Sequence, residues 1–230
     1  MLMSDIIQRF REENPELDAS VITDTTLQSW LTIGDSEICT QCRLINSQDN
    51  VIAPVIGQRS YDLTKISALF LDIDEMPGGG VVAYYNNSSS YKRLTHTTKA
   101  SLDANNSQWR KASSGKPLYY YRYGQYLNVY PTPNSTVSSF GIDFILLSTA
   151  FTQMNQTPFN ALPYLANFHY ALVMYLTWRG KAKIGKDTDA DSALKLLGIY
   201  LNWMIKTIGG GKYGPIEFRP SGLPMAGYQR

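Results

Sequence analysis

The chain has 230 residues, of which 43% are hydrophobic and 17% charged, with a formal net charge of +2. That length and apolar content suffice for a buried core in one or two domains, and a near-neutral balance without basic runs leaves no electrostatic footprint for nucleic acid. Two cysteines exclude a disulfide framework, and no apolar run approaches the roughly 18 residues of a membrane span.

Polar surface comes instead from runs such as Asn86-Asn87-Ser88-Ser89-Ser90. Sixteen tyrosines supply rings with a polar tip, which suit surfaces buried only on assembly. The first ten residues lack the basic start and apolar centre of a signal peptide, so folding in a cytoplasm is expected.

In chain order, Ser4 is placed to cap a short helix carrying Ile6, Ile7 and Phe10, which Pro15 ends. Thr23 or Asp24 caps a second helix with Leu27, Trp30, Leu31, Ile38, Cys42 and Ile45 at helical spacing. Gly34 sits in its middle. From Val51 the period changes to two. Tyr61 and Leu63 alternate with polar neighbours, as do Phe70 to Asp74, with Leu71 and Ile73 on the apolar side. Pro77-Gly78-Gly79-Gly80 reads as a turn from which Val81 to Tyr85 returns as the paired strand.

A short helix is expected at Lys99 to Asp103. Leu118 to Tyr123 and Tyr126 to Tyr130 flank Gly124-Gln125, the pattern of a type II′ hairpin. Phe140, Ile142, Phe144 and Leu146 share one strand face. Helix returns at Phe159 with two apolar stripes. One is Leu162, Leu165, Ala166, His169, Leu172, Val173 and Leu176; the other is Tyr164, Phe168, Ala171, Tyr175 and Trp178. A helix apolar on two faces is buried on two sides. The second stripe, with Tyr175 and Trp178, is therefore the expected contact with a neighbouring subunit.

A last helix from about Asp189 to Ile208 carries Ala193, Leu194, Leu197, Leu201, Met204 and Ile208, and Gly209-Gly210-Gly211 stops it. Beyond it, Tyr213, Ile216, Phe218, Leu223 and Tyr228 dot a proline-bearing stretch that reads as a docking arm. The fold class is α+β: a helical bundle built from both chain ends, an inserted antiparallel β domain and an extended C-terminal arm. The expected bounds are 1–50 and 156–211 for the helical domain, 51–155 for the β domain and 212–230 for the arm.

The residues that could carry chemistry do not form a set. Cys39-Thr40-Gln41-Cys42 lies inside a predicted helix without further cysteines, unlike redox or zinc motifs. His169 interrupts an apolar stripe, and His96 has no acid near it in sequence. Asp72, Asp74 and Glu75 are the best acidic cluster, and Asp72 with Asp74 would share a strand face able to hold magnesium. They read equally as the wet face of a half-buried strand. Gly209-Gly210-Gly211-Lys212 closes a helix, whereas a phosphate loop opens one. No catalytic residue, cofactor site or metal site is assigned, and the chain reads as a structural subunit. Tyr119, Tyr121 and Tyr123 on one strand face, Tyr120 on the other, keep open an alternative: a carbohydrate-binding or adhesion platform.

The order of segments resembles the head-to-tail adaptor, or connector, proteins of tailed bacteriophages, of the podovirus type. The carrying residues are Thr23-Asp24-Thr25-Thr26-Leu27-Gln28-Ser29-Trp30-Leu31 and Gly57-Gln58-Arg59-Ser60-Tyr61-Asp62-Leu63. They continue with Ser114-Gly115-Lys116-Pro117-Leu118-Tyr119-Tyr120, Leu127-Asn128-Val129-Tyr130-Pro131-Thr132-Pro133 and Leu162-Pro163-Tyr164-Leu165-Ala166. The resemblance implies a closed ring of twelve copies in the virion neck, assembled in the host cytoplasm without contact with a membrane. Its partners would be the capsid portal and the tail or nozzle proteins, with genomic DNA passing through the channel without sequence-specific contact. It implies no catalysis, and it gives Tyr213, Ile216, Phe218, Leu223 and Tyr228 the role of gripping the portal.

Overall fold

A computed structural model describes residues 1–73, 83–86, 91–106 and 108–208, and the side chains of 46, 48–50, 83–86, 91 and 208 are outside that description. The chain divides into two compact units, Met1–Ile45 with Leu147–Arg230, and Asn46–Leu146. The first is helical and is built from both ends of the chain; the second is the inserted β module.

The helical unit opens with α1, Met3–Glu13, which buries Met3, Ile6, Ile7 and Phe10 at spacings of three and four. Its cap differs from the predicted one. Leu2 is the capping residue, and its backbone N–H donates to Asp5 Oδ2 at 2.8 Å. Ser4 therefore lies inside the helix. Asn14 ends it and stays buried because its side-chain amide donates to Phe10 O at 3.0 Å and to Thr177 Oγ1 at 3.1 Å.

Helix α2, Asp24–Cys42, starts at the Thr23 cap, whose hydroxyl accepts from Thr26 N at 3.3 Å. Arg43, at φ 51°, closes it in the left-handed conformation, so Ile45 falls beyond the helix. Gly34 has a packing reason. A Cβ there would stand 2.7 Å from Tyr175 Cδ1, so only glycine lets α2 approach that ring.

The α-helix predicted from Phe159 begins only at Tyr170, as α4, Tyr170–Lys183. Phe159–Ala161 and Pro163–Phe168 form tight 3-10 turns instead. Phe159, Asn160 and Ala161 hold φ of 54°, 53° and 55°, a left-handed turn that L-residues adopt only when side chains fix it. Two contacts do so here. The Asp35 carboxylate accepts the Phe159 N–H at 2.7 Å, and Asn160 Oδ1 accepts the Thr149 N–H at 2.9 Å.

Helix α4 packs against α1 and α2 and against α5, Asp187–Ile208. Its two apolar faces are thus both met inside its own unit. Helix α5 turns Ala190, Ala193, Leu197, Leu201, Met204 and Ile205 inward. It begins at Asp187, earlier than predicted, and two aspartates in its first turn favour that end.

The β unit contains two sheets. In the first, β1 (Asn46–Ile52) pairs with β9 (Ser139–Leu146), and β9 pairs in turn with β4 (Ala83–Asn86), which pairs with β5 (Tyr91–Arg93). Strand β3 (Phe70–Ile73) also pairs with β9, at Phe144 to Leu146, beyond the stretch that β4 uses. Among the described residues, Phe70–Ile73 and Ala83–Tyr85 of the predicted hairpin each pair with β9, while its Asp74, Val81 and Val82 and the turn between them lie outside the described residues. The faces of β3 are also reversed from expectation at its start: Phe70 is buried and Leu71 only partly so. A register shift between Phe70 and Asp72 marks a bulge, which turns the alternation over.

The second sheet runs β2 (Ser60–Asp62), β8 (Tyr126–Tyr130), β7 (Tyr119–Tyr123) and β6 (Thr95–His96), antiparallel except for the β6–β7 pair. The β7–β8 hairpin forms as predicted, with Tyr123 opposite Tyr126. Gly124 has φ 58° and Gln125 is not among the positive-φ residues, as a II′ turn requires. Tyr61, Tyr120, Leu127 and Val129 of this sheet share one core with Ile73, Phe140, Ile142 and Phe144 of the other. Tyr61 meets Phe140 edge to face at 5.4 Å between ring centroids. Helix α3, Lys99–Asn105, is capped by Thr98 and lays Leu102 with Trp109 over Tyr121.

Candidate interaction surfaces

Tyr175 and Trp178, the expected contacts with a neighbour, are 0% and 4% exposed within the chain itself. The Tyr175 hydroxyl donates to Glu37 Oε2 and accepts from Arg179 Nη1, both at 3.1 Å. Trp178 packs edge to face on Tyr175 at 5.5 Å. Neither offers surface to a second molecule, because the second stripe of α4 is met by helices of the same unit.

Helix α5 carries the outward face instead. Leu196, Ile199 and Trp203 are 53%, 68% and 53% exposed. Their spacing of three and four puts them on one line along the helix. Trp203 is held in place although half open. Its ring meets Phe168 at 5.2 Å and Tyr200 at 5.4 Å, both edge to face. The Tyr200 hydroxyl in turn donates to Asn167 O at 2.7 Å. A large ring fixed by its neighbours loses little entropy on binding, which is the character of an interface anchor. Lys195 and Lys206, both exposed, fall on the same side of the helix. The spacing of Leu196, Ile199 and Trp203 is visible in the sequence, but it competes there with the inner stripe of the same helix.

In the β unit, the tyrosine run is divided between two interiors. Tyr120 enters the main core, while Tyr121 is covered by Leu102 and Trp109. Trp109 is itself flanked by the Arg59 and Arg110 guanidinium groups, 4.5 and 4.8 Å from its ring. Tyr119, Tyr123 and Tyr126 remain 37%, 69% and 41% exposed. With Tyr121 covered, the three-tyrosine face expected on β7 is broken in its middle.

The groups considered for chemistry are apart or engaged. Cys39 and Cys42 are buried free thiols; burial pushes the Cys39 thiol far up and Cys42 up to about 12. His169 is buried and pushed down to about 4, first by desolvation, so it stays neutral at pH 7. His96 is exposed in the other unit. The Asp72 carboxylate pairs with the Arg122 guanidinium and accepts the Ile73 N–H at 2.8 Å. Asp74 and Glu75 lie outside the described residues, as do the Pro77-Gly78-Gly79-Gly80 turn and Gly209-Gly210-Gly211-Lys212. Among the described residues no group of three or more His, Cys, Asp and Glu is placed to hold a metal ion, and no helix is long and apolar enough to cross a membrane. A cavity of about 340 Å³ is lined by Thr149, Phe151, Gln156, Thr157, Asn160 and Ala161, none of them titratable. The residues expected to grip a partner from the arm, Tyr213, Ile216, Phe218, Leu223 and Tyr228, also lie outside the described residues.

Comparison with protein families matches residues 1–200 to the SU10 adaptor protein family. That span covers the whole β unit and the helical unit as far as residue 200. Comparison with curated proteins finds no match.

Proposed function

Because the chain belongs to the SU10 adaptor protein family, we propose that this phage adaptor forms a ring joining the capsid portal to the tail and extending the DNA channel. The observation that carries the reading is the family match over residues 1–200, which reaches into both units. The subunit works through protein contacts in the virion neck and not through catalysis. Neighbouring copies meet through unlike patches, as a closed ring requires, and the Leu196–Ile199–Trp203 stripe is the patch that the exposure pattern favours. The arm residues Tyr213, Ile216, Phe218, Leu223 and Tyr228 dock on the portal, tail or nozzle proteins bind the opposite side, and genomic DNA passes through without sequence-specific contact.

The test is mass by light scattering for the purified protein, alone and mixed with its portal. A ring in either condition supports the reading. A monomer in both would overturn it. Glycan binding lost on Tyr123→Ala would instead favour a surface-adhesion role for the tyrosines still exposed in the β unit.

A further inference from the structure

The outer face of the second sheet gathers positive charge. Helix α3 and the turn after it lay Leu102 and Trp109 over Tyr121, and from Lys99 to Lys116 this stretch carries four cations and one acid, Asp103. Arg59, distant in sequence, joins them. Its guanidinium and that of Arg110 both lie on the Trp109 ring, and Arg59 Nη2 donates to Arg110 O at 3.0 Å. Lys99 Nζ stands 5.8 Å from the ring of Tyr123, which shares its side of β7 with Tyr121. Lys111 follows Arg110 and is exposed.

The carboxylates on this face are already engaged. Asp103 accepts from Trp109 Nε1 at 2.7 Å and from Arg110 Nη2 at 2.8 Å. Asp62, opposite Tyr126, accepts from Thr64 Oγ1 at 2.6 Å and has Lys65 beside it. The Arg122–Asp72 pair belongs to the other side of β7, because Arg122 alternates with Tyr121 and Tyr123. Among the described residues Arg59, Lys99 and Lys111 form no ion pair. Arg110 offsets Asp103, so the charges of those three are left over.

The surroundings suit phosphate better than a protein surface. Leu94, Leu102 and Trp109 are buried, and no described residue between 92 and 117 is an exposed large hydrophobic. Asn105, Gln108 and Ser113 are exposed beside the cations. Lysine is depleted at protein interfaces, whereas Lys, Arg, Asn, Gln and Ser are the donors that contact DNA backbones. Stacking on one ring also holds the two guanidinium groups, which lowers the entropy cost of presenting their N–H donors.

We propose that this face of the β unit, with Arg59, Lys99, Arg110 and Lys111, is the surface that touches the phosphates of duplex DNA without reading its sequence. The inference rests on the adaptor reading for the source of the duplex, the genome in transit, and assigns the contact to one face. So few contacts per subunit are weak and salt-sensitive, which lets the duplex slide past.

The experiment titrates the full chain into fluorescein-labelled duplexes of about 20 base pairs, in two unrelated sequences, and reads anisotropy from about 20 to 200 mM salt. At about 0.9 per phosphate contact, log K should fall against log salt with a slope of about −3 to −4, alike for both sequences. The Lys99→Gln, Arg110→Gln, Lys111→Gln triple variant should bring the slope to about −1 and weaken binding at the lowest salt at least about tenfold. Its circular dichroism spectrum should not change, since all three residues are exposed. Lys195→Gln with Lys206→Gln, two exposed lysines of α5, should leave slope and affinity as they are.

No binding at the lowest salt overturns the proposal, and so does a triple variant that keeps the wild-type slope. An equal loss in the α5 pair overturns it as well, because the attraction would then belong to no particular face. Poly-L-glutamate bound more tightly than the duplex at equal charge overturns it in favour of an acidic protein partner. Portal binding is scored separately. A chain that binds duplex through these residues but never joins a portal defeats the adaptor reading and leaves this site standing, whereas a chain that joins portals and ignores duplex defeats only this site.

Discussion

Asp35 gives the sharpest test of the helical unit. It is 2% exposed on α2, and burial lifts its carboxyl from 3.8 to about 6 against the opposing hydrogen bonds from Phe159 N–H and Ser148. Both opposing groups are neutral donors, so desolvation of the charge prevails. The sign follows from the direction of the shift. The folded state binds this proton more tightly than the unfolded chain, so stability falls as pH rises between 3.8 and 6 and is flat on either side. A shift of roughly two units is about 3 kcal/mol at 1.36 kcal/mol per unit, and about 2 kcal/mol of it falls between pH 4 and pH 7. Asp35→Asn keeps an acceptor for the Phe159 N–H and removes the charge. The unfolding free energy of the variant relative to wild type should therefore rise by about 2 kcal/mol from pH 4 to pH 7. Urea unfolding at several pH values measures it, and contributions from distant groups cancel in the difference. Parallel pH profiles for the two proteins would refute the buried-charge argument.

The other expectations follow from packing and exposure. Gly34→Ala should destabilise the chain by about 1–3 kcal/mol in thermal or urea unfolding, because the new Cβ would press on the Tyr175 ring and force α2 from α4. Trp178→Asp should unfold the helical unit, read as lost helical circular dichroism, since it buries an unpaired charge at a site 4% exposed. Folded, soluble monomer would restore Trp178 to an interface. Ile199→Asp should leave the unfolding midpoint nearly unchanged and abolish ring formation with the portal in light scattering. Arg122→Ala should cost only about 0.5–1 kcal/mol in urea unfolding, because its partly exposed pair with Asp72 ties β3 to β7 from the surface.

Local signals in the sequence decided a large part of the fold. The Thr23 cap, the inner stripe of α5, the change of period in the middle of the chain and the Gly124-Gln125 hairpin each depend on residues within a turn or two of one another. The α+β class with a β module between helices follows from them. The adaptor resemblance rests likewise on short segments in order along the chain.

The tertiary structure alone decided what each apolar face meets. Periodicity shows that α4 must be buried on both sides, but α1, α2 and α5 supply both partners, which leaves Tyr175 and Trp178 inside. The same contacts leave Leu196, Ile199 and Trp203 outward, although their spacing resembles that of any buried stripe. Strands β3 and β4 are adjacent in sequence, yet each pairs with β9, and one bulged residue reverses the face of Phe70. The helical pattern at Phe159–His169 yields to a carboxylate 124 positions away in sequence, which holds the Phe159 N–H in a left-handed turn. Sequence patterns determine which side chains need to leave water. Which surface receives them is set by pairings distant in sequence, and those are fixed only when the chain closes on itself.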